Sequence, residues 1–134
     1  MNGLRMLLLI CALVAVADLG GEPKTLSIAD AKRLVYEALP DQTRSLPGLS
    51  LEPGKVESDG RCVTFDVLWS NPGPGSVHVN FYTVDLQNAT LWRGVMPKLV
   101  VGPRVARLQR DLRKGLGIGD RISPRAIQQS PCWK

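Results

Sequence analysis

The chain has 134 residues, 44% of them hydrophobic, and a formal net charge of +5. That length leaves room for one domain. A single histidine, with cysteines that we expect to be paired, excludes a zinc site and a Cys–His dyad. Gly-x-Ser-x-Gly, His-Glu-x-x-His and P-loop patterns do not occur in the sequence. We therefore predict a protein that is not an enzyme and binds no cofactor or metal.

The first 17 residues have the pattern of a secretory signal peptide. Arg5 supplies a positive charge, residues 6–17 are apolar, and Ala15-Val16-Ala17 has the small-x-small form of a cleavage site. About 12 apolar residues are too few for a membrane span, which needs about 20. We expect cleavage near Ala17 and a secreted or periplasmic protein, in which residues 18–25 form a flexible leader and residues 26–134 a single domain.

A helix is predicted directly after the leader. Ser27 is suited to cap its first turn, and Pro40 ends it, because proline has no backbone N–H with which to continue the helix. Apolar residues recur between these two positions at the spacing of one helical face. They are Ile28, Ala31, Leu34, Val35, Ala38 and Leu39. A helix of about three turns does not fold alone, so we expect this face to pack on another element.

Alternating apolar residues predict an antiparallel sheet after this helix. Residues 41–53 form a connector, and residues 55–57 form a short strand before a hairpin turn at Ser58-Asp59-Gly60. Longer strands follow at 61–69 and 76–86, with a closing strand at 90–93. One face of the first carries Val63, Phe65, Val67 and Trp69, and one face of the second carries Val77, Val79 and Phe81. The predicted class is α+β, with the N-terminal helix packed on the sheet.

Charge is concentrated in the last third of the chain. Residues 18–92 hold 6 Lys or Arg against 10 Asp or Glu, which gives −4, and residues 93–134 hold 10 against 2, which gives +8. A helix is predicted at about 103–114, with Pro103 in its first turn and Gly115 just after its end. One side carries Val105, Leu108 and Leu112, and the opposite arc carries Arg104, Arg107, Arg110, Arg113 and Lys114. These five cations are candidate ligands for an anionic surface, and the alternative is a solvated face on a helix that docks on the domain.

Two cysteines remain once the signal peptide is removed, Cys62 and Cys132. In an exported protein they most simply form one disulfide. The bond would close a loop of 71 residues, counted from 62 to 132 inclusive, and would attach a tail predicted to be irregular over 120–134 to the first long strand. A loop of that size stabilises the folded state by roughly 4 kcal/mol in the chain-entropy treatment. We expect Trp133 to pack on this bond.

Two parts of the sequence resemble PepSY-type domains, and the likeness covers roughly residues 26–92. Residues 26–31 (Leu-Ser-Ile-Ala-Asp-Ala) and 34–39 (Leu-Val-Tyr-Glu-Ala-Leu) are similar to the helix of that family. Residues 82–85 (Tyr-Thr-Val-Asp) and 88–92 (Asn-Ala-Thr-Leu-Trp) are similar to its closing strands, with Asn-Ala in the place of the usual Thr-Gly turn. The resemblance implies a cystatin-like roll, in which a sheet wraps one helix, and a non-catalytic exported module that binds or restrains hydrolases.

Two known activities of cystatin-like proteins are not implied. Cystatins inhibit cysteine proteases with a Gln-x-Val-x-Gly hairpin, and the loop in the equivalent-looking position lacks the Gln and the Val. That loop consists of Asn71, Pro72, Gly73, Pro74 and Gly75. Cathelin-like domains also precede a cationic peptide, but they carry two disulfides, and one pair of cysteines is available here.

Individual side chains offer little further chemistry. His78 is predicted to be an exposed strand residue, on the face opposite Val77 and Phe81. Asp66 and Asp85 lie in strands whose pairing could bring the two carboxylates together, which keeps a small hydrolase as a low-ranked hypothesis. Residues 88–90 (Asn-Ala-Thr) form a glycosylation sequon on a predicted turn, relevant in a eukaryotic host.

The leading hypothesis is an exported non-catalytic binding module that modulates or inhibits a secreted or periplasmic hydrolase. Its expected contact regions are the exposed sheet face and the loop at 71–75. The alternative is binding of lipid, polysaccharide or nucleic acid through the basic helix. No small-molecule cofactor is predicted, and the sequence leaves the partner and the oligomeric state open.

Overall fold

The computed structural model describes residues 23–70 and 76–134. The predicted signal peptide, its cleavage site, most of the leader and the loop at 71–75 lie outside these residues. The helices are α1 (Ile28–Ala38), α2 (Asp41–Arg44), α3 (Pro103–Gly115) and α4 (Pro124–Gln129), with a 3₁₀ helix at Pro131–Trp133. The strands are β1 (Ser50–Pro53), β2 (Cys62–Ser70), β3 (Ser76–Asp85), β4 (Thr90–Arg93) and β5 (Lys98–Leu99). None of the described helices is long and apolar enough to cross a membrane.

The five strands form one antiparallel sheet in the order β1-β2-β3-β4-β5, so each strand pairs with its neighbour in the sequence. One face of the sheet is covered by α1, whose Ala31, Leu34 and Val35 are fully buried. On the facing strands Phe65 lies directly across from Tyr82, and both are buried. The predicted α+β class, with a helix packed on an antiparallel sheet, is confirmed.

Local signals at both ends of α1 act as the sequence suggests. The Ser27 hydroxyl accepts a hydrogen bond from the Asp30 backbone N–H at 3.1 Å, which satisfies one of the free donors of the first turn. The helix ends at Ala38, before Leu39 adopts an extended conformation ahead of Pro40. Leu39 itself stays buried in the core. The apolar stripe of α1 therefore continues past the end of the helix.

The first strand lies earlier than predicted. Residues 50–53, which were assigned to a connector, form β1, and Leu51 lies across from the buried Val67. The predicted strand at 55–57 is reduced to a single bridge between Glu57 and Cys62. Burial explains the difference, because Leu51 finds a place in the core, whereas Val56 is 37% exposed. The tight turn at 58–60 has three consecutive positive φ angles and leaves no length for further pairing.

The apolar face predicted for the second long strand is wrong. The core side of β3 consists of Tyr82 and Val84, whereas Val77 and Val79 are nearly 40% exposed. The sheet register shifts between Val67 and Leu68, so the alternation of side chains changes along β3. Phe81 lies across from the exposed Asp66, whereas Tyr82 lies across from the buried Phe65, so the even-numbered positions of this part of β3 face the core.

Helix α3 docks on α1 and on the core, and is not a free basic helix. Val105 is buried, and Leu108, Leu112 and Leu116 are half-buried against the main core. The helix runs one residue beyond the predicted end, and Gly117, at φ +72°, replaces the predicted Gly115 as the closing residue. The N–H groups of Gly117 and Ile118 donate to backbone carbonyls of the last helical turn, and these carbonyls would otherwise lack a partner within the helix.

The C-terminal tail is regular where an irregular segment was predicted. The Ser123 hydroxyl accepts from the Ala126 N–H at 3.1 Å and caps α4, while Pro124 occupies the first turn. Proline there costs no hydrogen bond, since N–H groups of a first turn have no partner within the helix. Pro131 begins the 3₁₀ helix in the same way. The prolines start these helices and do not interrupt the chain.

Cys62 and Cys132 form the expected disulfide, with Cα atoms 5.4 Å apart. Their neighbours are Trp92, which is 5% exposed, and the half-buried Ile127 of α4. Trp133, which was predicted to pack on this bond, is 37% exposed, and its indole N–H donates to the Gln128 carbonyl. The tail thus forms a small second core on the outer side of the sheet.

Candidate functional site

A groove with a volume of about 780 Å³ lies between α1, β1 and α3. The apolar side chains Leu49, Leu51 and Leu108 line it. Its charged lining consists of Lys32, Arg33, Glu37, Arg104, Arg107 and Asp111. Because helices and a strand form the walls, the groove is built on the more rigid elements of the fold. We name it the α1–α3 groove.

Part of the charge around the groove is neutralised within the protein. Arg33 pairs with Asp30 at 3.1 Å, and Arg104 pairs with Asp41 of α2 at 3.0 Å. Arg44 also pairs with Asp41 and lies over the Tyr36 ring, with its guanidinium carbon 5.7 Å from the ring centre. Among residues 23–70 and 76–134, Lys32 and Arg107 have no acidic partner within 4 Å. The acidic lining residues Glu37 and Asp111 form no ion pair within the described residues either, so the groove presents free charges of both signs beside an apolar surface.

The five cations assigned to one arc of α3 do not act as one set. Arg107, Arg110 and Lys114 are exposed, and Arg104 is tied to Asp41. Arg113 is 8% exposed, so the prediction that it belongs to an anion-binding surface is wrong. The structure leaves three members of the predicted arc available to a ligand in solvent.

Arg113 is buried because it bonds to the turn between β3 and β4. Its Nε donates to the Asn88 carbonyl at 2.8 Å, and its NH1 donates to the Asp120 carbonyl at 3.0 Å. Burial lowers the pKa of this guanidinium. Gln109, one turn earlier, donates to the Ala89 carbonyl at 2.9 Å. The spacing of four from Val105 through Gln109 to Arg113 was the sequence signal for this buried row.

The packing of α3 on the β3–β4 turn also affects the predicted glycosylation sequon at residues 88–90. Asn88 is 7% exposed, and its side-chain oxygen accepts from the Thr90 N–H at 3.0 Å. Ala89, fully buried at φ +60°, lies beneath α3. The sequon is packed into the fold, which leaves little room for a glycan on Asn88.

The two strand aspartates lie apart. Asp85 is across from Cys62, and Asp66 is across from Phe81. Four residues along one strand separate these positions by about 13 Å, so the predicted carboxylate pair is not formed. Asp66 is exposed, with an oxygen 3.4 Å from the His78 imidazole.

Asp85 is fully buried and holds together three separate segments. Arg61 donates to both its oxygens, through Nε at 3.0 Å and NH2 at 2.8 Å. The Ser130 hydroxyl donates to it at 2.7 Å, and the Gln87 N–H at 3.0 Å. These bonds fix the turn before β2, the turn after β3 and the C-terminal tail to the end of β3. We assign Asp85 a structural role beside the disulfide.

His78 is exposed, as predicted, but it lies on the same face as Phe81. The two ring centres are 6.1 Å apart, a contact that regular alternation along β3 would not allow. The register shift at Val67 and Leu68 explains it. Within the described part of the chain, no three His, Cys, Asp or Glu side chains are grouped closely enough to hold a metal ion.

The two predicted partner-contact regions differ in their outcome. The loop of residues 71–75 lies outside the described residues. The outer sheet face is divided: the tail covers it around Cys62 and Trp92, and the remainder is more open. On that open part the hydroxyls of Thr64 and Thr83 share a hydrogen bond of 2.8 Å.

No protein-family model and no curated protein matches this chain. Its fold is similar to that of a solved chain described as the structure of a type VI secretion system effector-immunity complex from Pseudomonas protegens. The TM-score is 0.59 and the sequence identity is 18%, with 78% of this chain and 85% of that chain covered. At this identity the likeness concerns the fold.

Proposed function

We propose that this protein is an exported, non-catalytic binding module that restrains a secreted or periplasmic hydrolase by contacting it directly. The observation that carries the proposal is the α1–α3 groove, which presents apolar side chains and free cations on a preformed surface. A concave surface of this chemistry is suited to an inserted segment of another protein. The described fold resembles a chain from an effector-immunity complex, which supports a protein partner.

Export is supported by two independent features. The first 17 residues have the composition of a signal peptide. Cys62 and Cys132 form a disulfide between β2 and the tail, and such bonds persist in oxidising compartments. A binding module that acts outside the cytoplasm gains stability from this bond without a large core.

The test is affinity capture from the extracytoplasmic extract of the producing cells, with the oxidised protein from residue 18 onward as bait. Washes at low salt and at roughly 0.5 M salt, where the Debye length is about 4 Å, separate packed contacts from exposed ionic ones. We expect one protein retained through the second wash, with a hydrolase activity that falls when the bait is added in equal amount. No protein retained at high salt would overturn the proposal.

A matched pair of variants tests the groove itself. Ala29→Trp places an indole in the α1–α3 groove, and we expect it to weaken capture at least tenfold. Ala106→Trp makes the same change at an exposed position of α3 that does not line the groove, and should leave capture unchanged. Equal capture by both variants would show that the partner binds elsewhere.

A second candidate function rests on the exposed cations of α3. Arg107, Arg110 and Lys114 recur at spacings of three and four, so they share one side of the helix. They would favour an anionic surface, with affinity that falls steeply as salt rises. Binding to heparin or phosphatidylglycerol vesicles, lost in Arg110→Glu with Lys114→Glu, would support this candidate. Absence of binding at low salt would remove it.

A further inference from the structure

Two cations face each other at the edge of the sheet without an acidic partner. Arg93 of β4 lies directly across from Lys98 of β5, and both side chains are exposed. Like charges at directly opposed positions destabilise a strand pair. In the part of the chain that the structure describes, neither forms an ion pair. An uncompensated local conflict of this kind is expected at functional positions.

A pocket of about 280 Å³ opens beside this pair. Arg93 and Lys98 line it with Tyr82, which is across from Arg93 in the sheet. The remaining lining is Ala38, Leu99, Val100 and Val101. Tyr82 is 2% exposed, and burial raises the pKa of its phenol although the charge of Arg93 lowers it. The phenol therefore stays protonated at neutral pH and can donate a hydrogen bond in the pocket.

Three apolar side chains of residues 93–101 are strongly exposed, and one of them, Val101, lines the pocket. Val95 and Met96, in the turn between β4 and β5, are 82% and 83% exposed, and Val101 is 79% exposed. These are the largest exposures among the large hydrophobic residues of the described chain. Exposed apolar side chains on one short segment that also lines a pocket are a feature of interaction surfaces.

We propose that residues 93–101, the β4–β5 hairpin and the segment after it, dock on a partner protein and receive a carboxylate side chain of that partner between Arg93, Lys98 and the Tyr82 hydroxyl. The carboxylate accepts from both cations and from the phenol, and it relieves the repulsion between Arg93 and Lys98. Val95, Met96 and Val101 pack on apolar side chains around it. The inference rests on the proposed function, because it assigns a contact surface to the same protein-binding role.

Charge complementarity selects the occupant. A carboxylate is a planar acceptor that fits a guanidinium fork, and the small pocket suits one side chain. Tryptophan and tyrosine are enriched where proteins meet a membrane interface, and residues 93–101 contain no aromatic residue. The concave pocket and its phenol donor favour an aspartate or glutamate in a protein.

The first arm of the test uses a defined probe and does not need the natural partner. The oxidised, ¹⁵N-labelled protein is titrated with acetyl-Leu-Glu-Ile-amide and with the matching Gln peptide. We expect saturable shifts of the amides at 93–101 and of Tyr82 with the Glu peptide, at a dissociation constant of about 1 mM, and at least tenfold weaker binding of the Gln peptide. Equal shifts with both peptides, or none with the Glu peptide, would overturn the carboxylate site.

The second arm uses Lys98→Glu, which replaces the repulsion by an ion pair across the strands. This variant should lose the peptide-induced shifts and raise the Tm of the free protein by about 2–4 °C. Lys55→Glu makes the same charge change at an exposed position of the β1–β2 connection and should alter neither measurement. A Lys98→Glu variant that still binds the Glu peptide would refute the site even if its Tm rises.

The outcomes for the hairpin and for the protein's function remain distinguishable. If the wild type captures a partner at high salt and Lys98→Glu captures it equally, the docking surface is wrong while the binding function stands. If no partner is captured, the binding function fails, and the peptide titration still decides the pocket. Larger shifts at 93–101 with phosphatidylglycerol vesicles than with the Glu peptide would identify a lipid surface and overturn the protein contact.

Discussion

Replacement of the buried carboxylate by an amide, Asp85→Asn, should destabilise the protein by about 3 kcal/mol. Asp85 is fully buried, and the change removes the charge that pairs with Arg61 and one of the two acceptor oxygens that Arg61 and Ser130 use. Breaking a buried ion pair costs about 3–5 kcal/mol. We expect a cost at the lower end of this range, because the Arg61 side chain is 26% exposed and water can hydrate part of it once the partner is lost. For a domain of this size the loss corresponds to a fall in Tm of roughly 12 °C.

Urea unfolding of the oxidised protein measures this loss, with the fluorescence of its three tryptophans, among them the buried Trp92, as the probe. Asp66→Asn makes the same chemical change at an exposed strand position and should shift stability by less than about 0.5 kcal/mol. A double-mutant cycle with Arg61→Met isolates the Asp85–Arg61 coupling. A loss below about 1 kcal/mol in Asp85→Asn, at an unchanged m-value, would refute the structural role assigned to this carboxylate.

Three further predictions concern the Cys62–Cys132 disulfide, the ionisation of Tyr82 and the turn at Gly48. Cys62→Ser with Cys132→Ser should lower the free energy of unfolding by roughly 4 kcal/mol in urea, since 70 positions separate the two residues. Because burial raises the pKa of Tyr82, its absorbance at 295 nm should titrate above pH 10, and stability should fall from about pH 10 upward as the unfolded phenol ionises. Gly48→Ala should cost about 1–3 kcal/mol by thermal unfolding, because φ is +61° and a Cβ atom would lie 2.4 Å from the Ser70 Oγ atom.

Each of these changes has a control. The tyrosine titration is performed with Tyr36→Phe, which leaves Tyr82 as the single tyrosine, and Arg93→Ala should raise the phenol pKa further. Gly60→Ala carries a positive φ of +85° with open space around the new Cβ atom, so it should cost less than Gly48→Ala. Equal costs would show that contact with Ser70 is unimportant. If the variant without the disulfide is as stable as the wild type, the C-terminal tail docks on the sheet without that bond.

Local chemistry in the sequence was enough to predict several elements. Ser27 and Pro40 bracket α1, and Pro103 begins α3, because caps and prolines act through their immediate neighbours in the chain. The alternation around Val63 and Phe65 predicted β2 and its core face for the same reason, since each position needs information from only a few residues. The two cysteines beyond the first 17 residues, Cys62 and Cys132, allowed one intramolecular pairing, which the structure contains.

Tertiary packing decided the features that local patterns did not predict. Leu51 was drawn into the sheet because Val67 lies across from it, and nothing near residue 51 indicates that partner. The bulge at Val67 and Leu68 placed His78 beside Phe81. These outcomes depend on which strand lies next to which, and an alternating pattern carries no record of its register.

Some features of the candidate site followed from the sequence, and others only from the fold. The sequence by itself determined that a basic helix begins at Pro103 and that an apolar stripe runs through Val105, because both follow from helical spacing. The tertiary structure alone decided that Arg113 is buried against the Asn88 carbonyl, and that Arg93 and Lys98 meet beside Tyr82. A charged side chain is placed by the acceptors that the folded chain brings to it, and those acceptors come from segments distant in sequence.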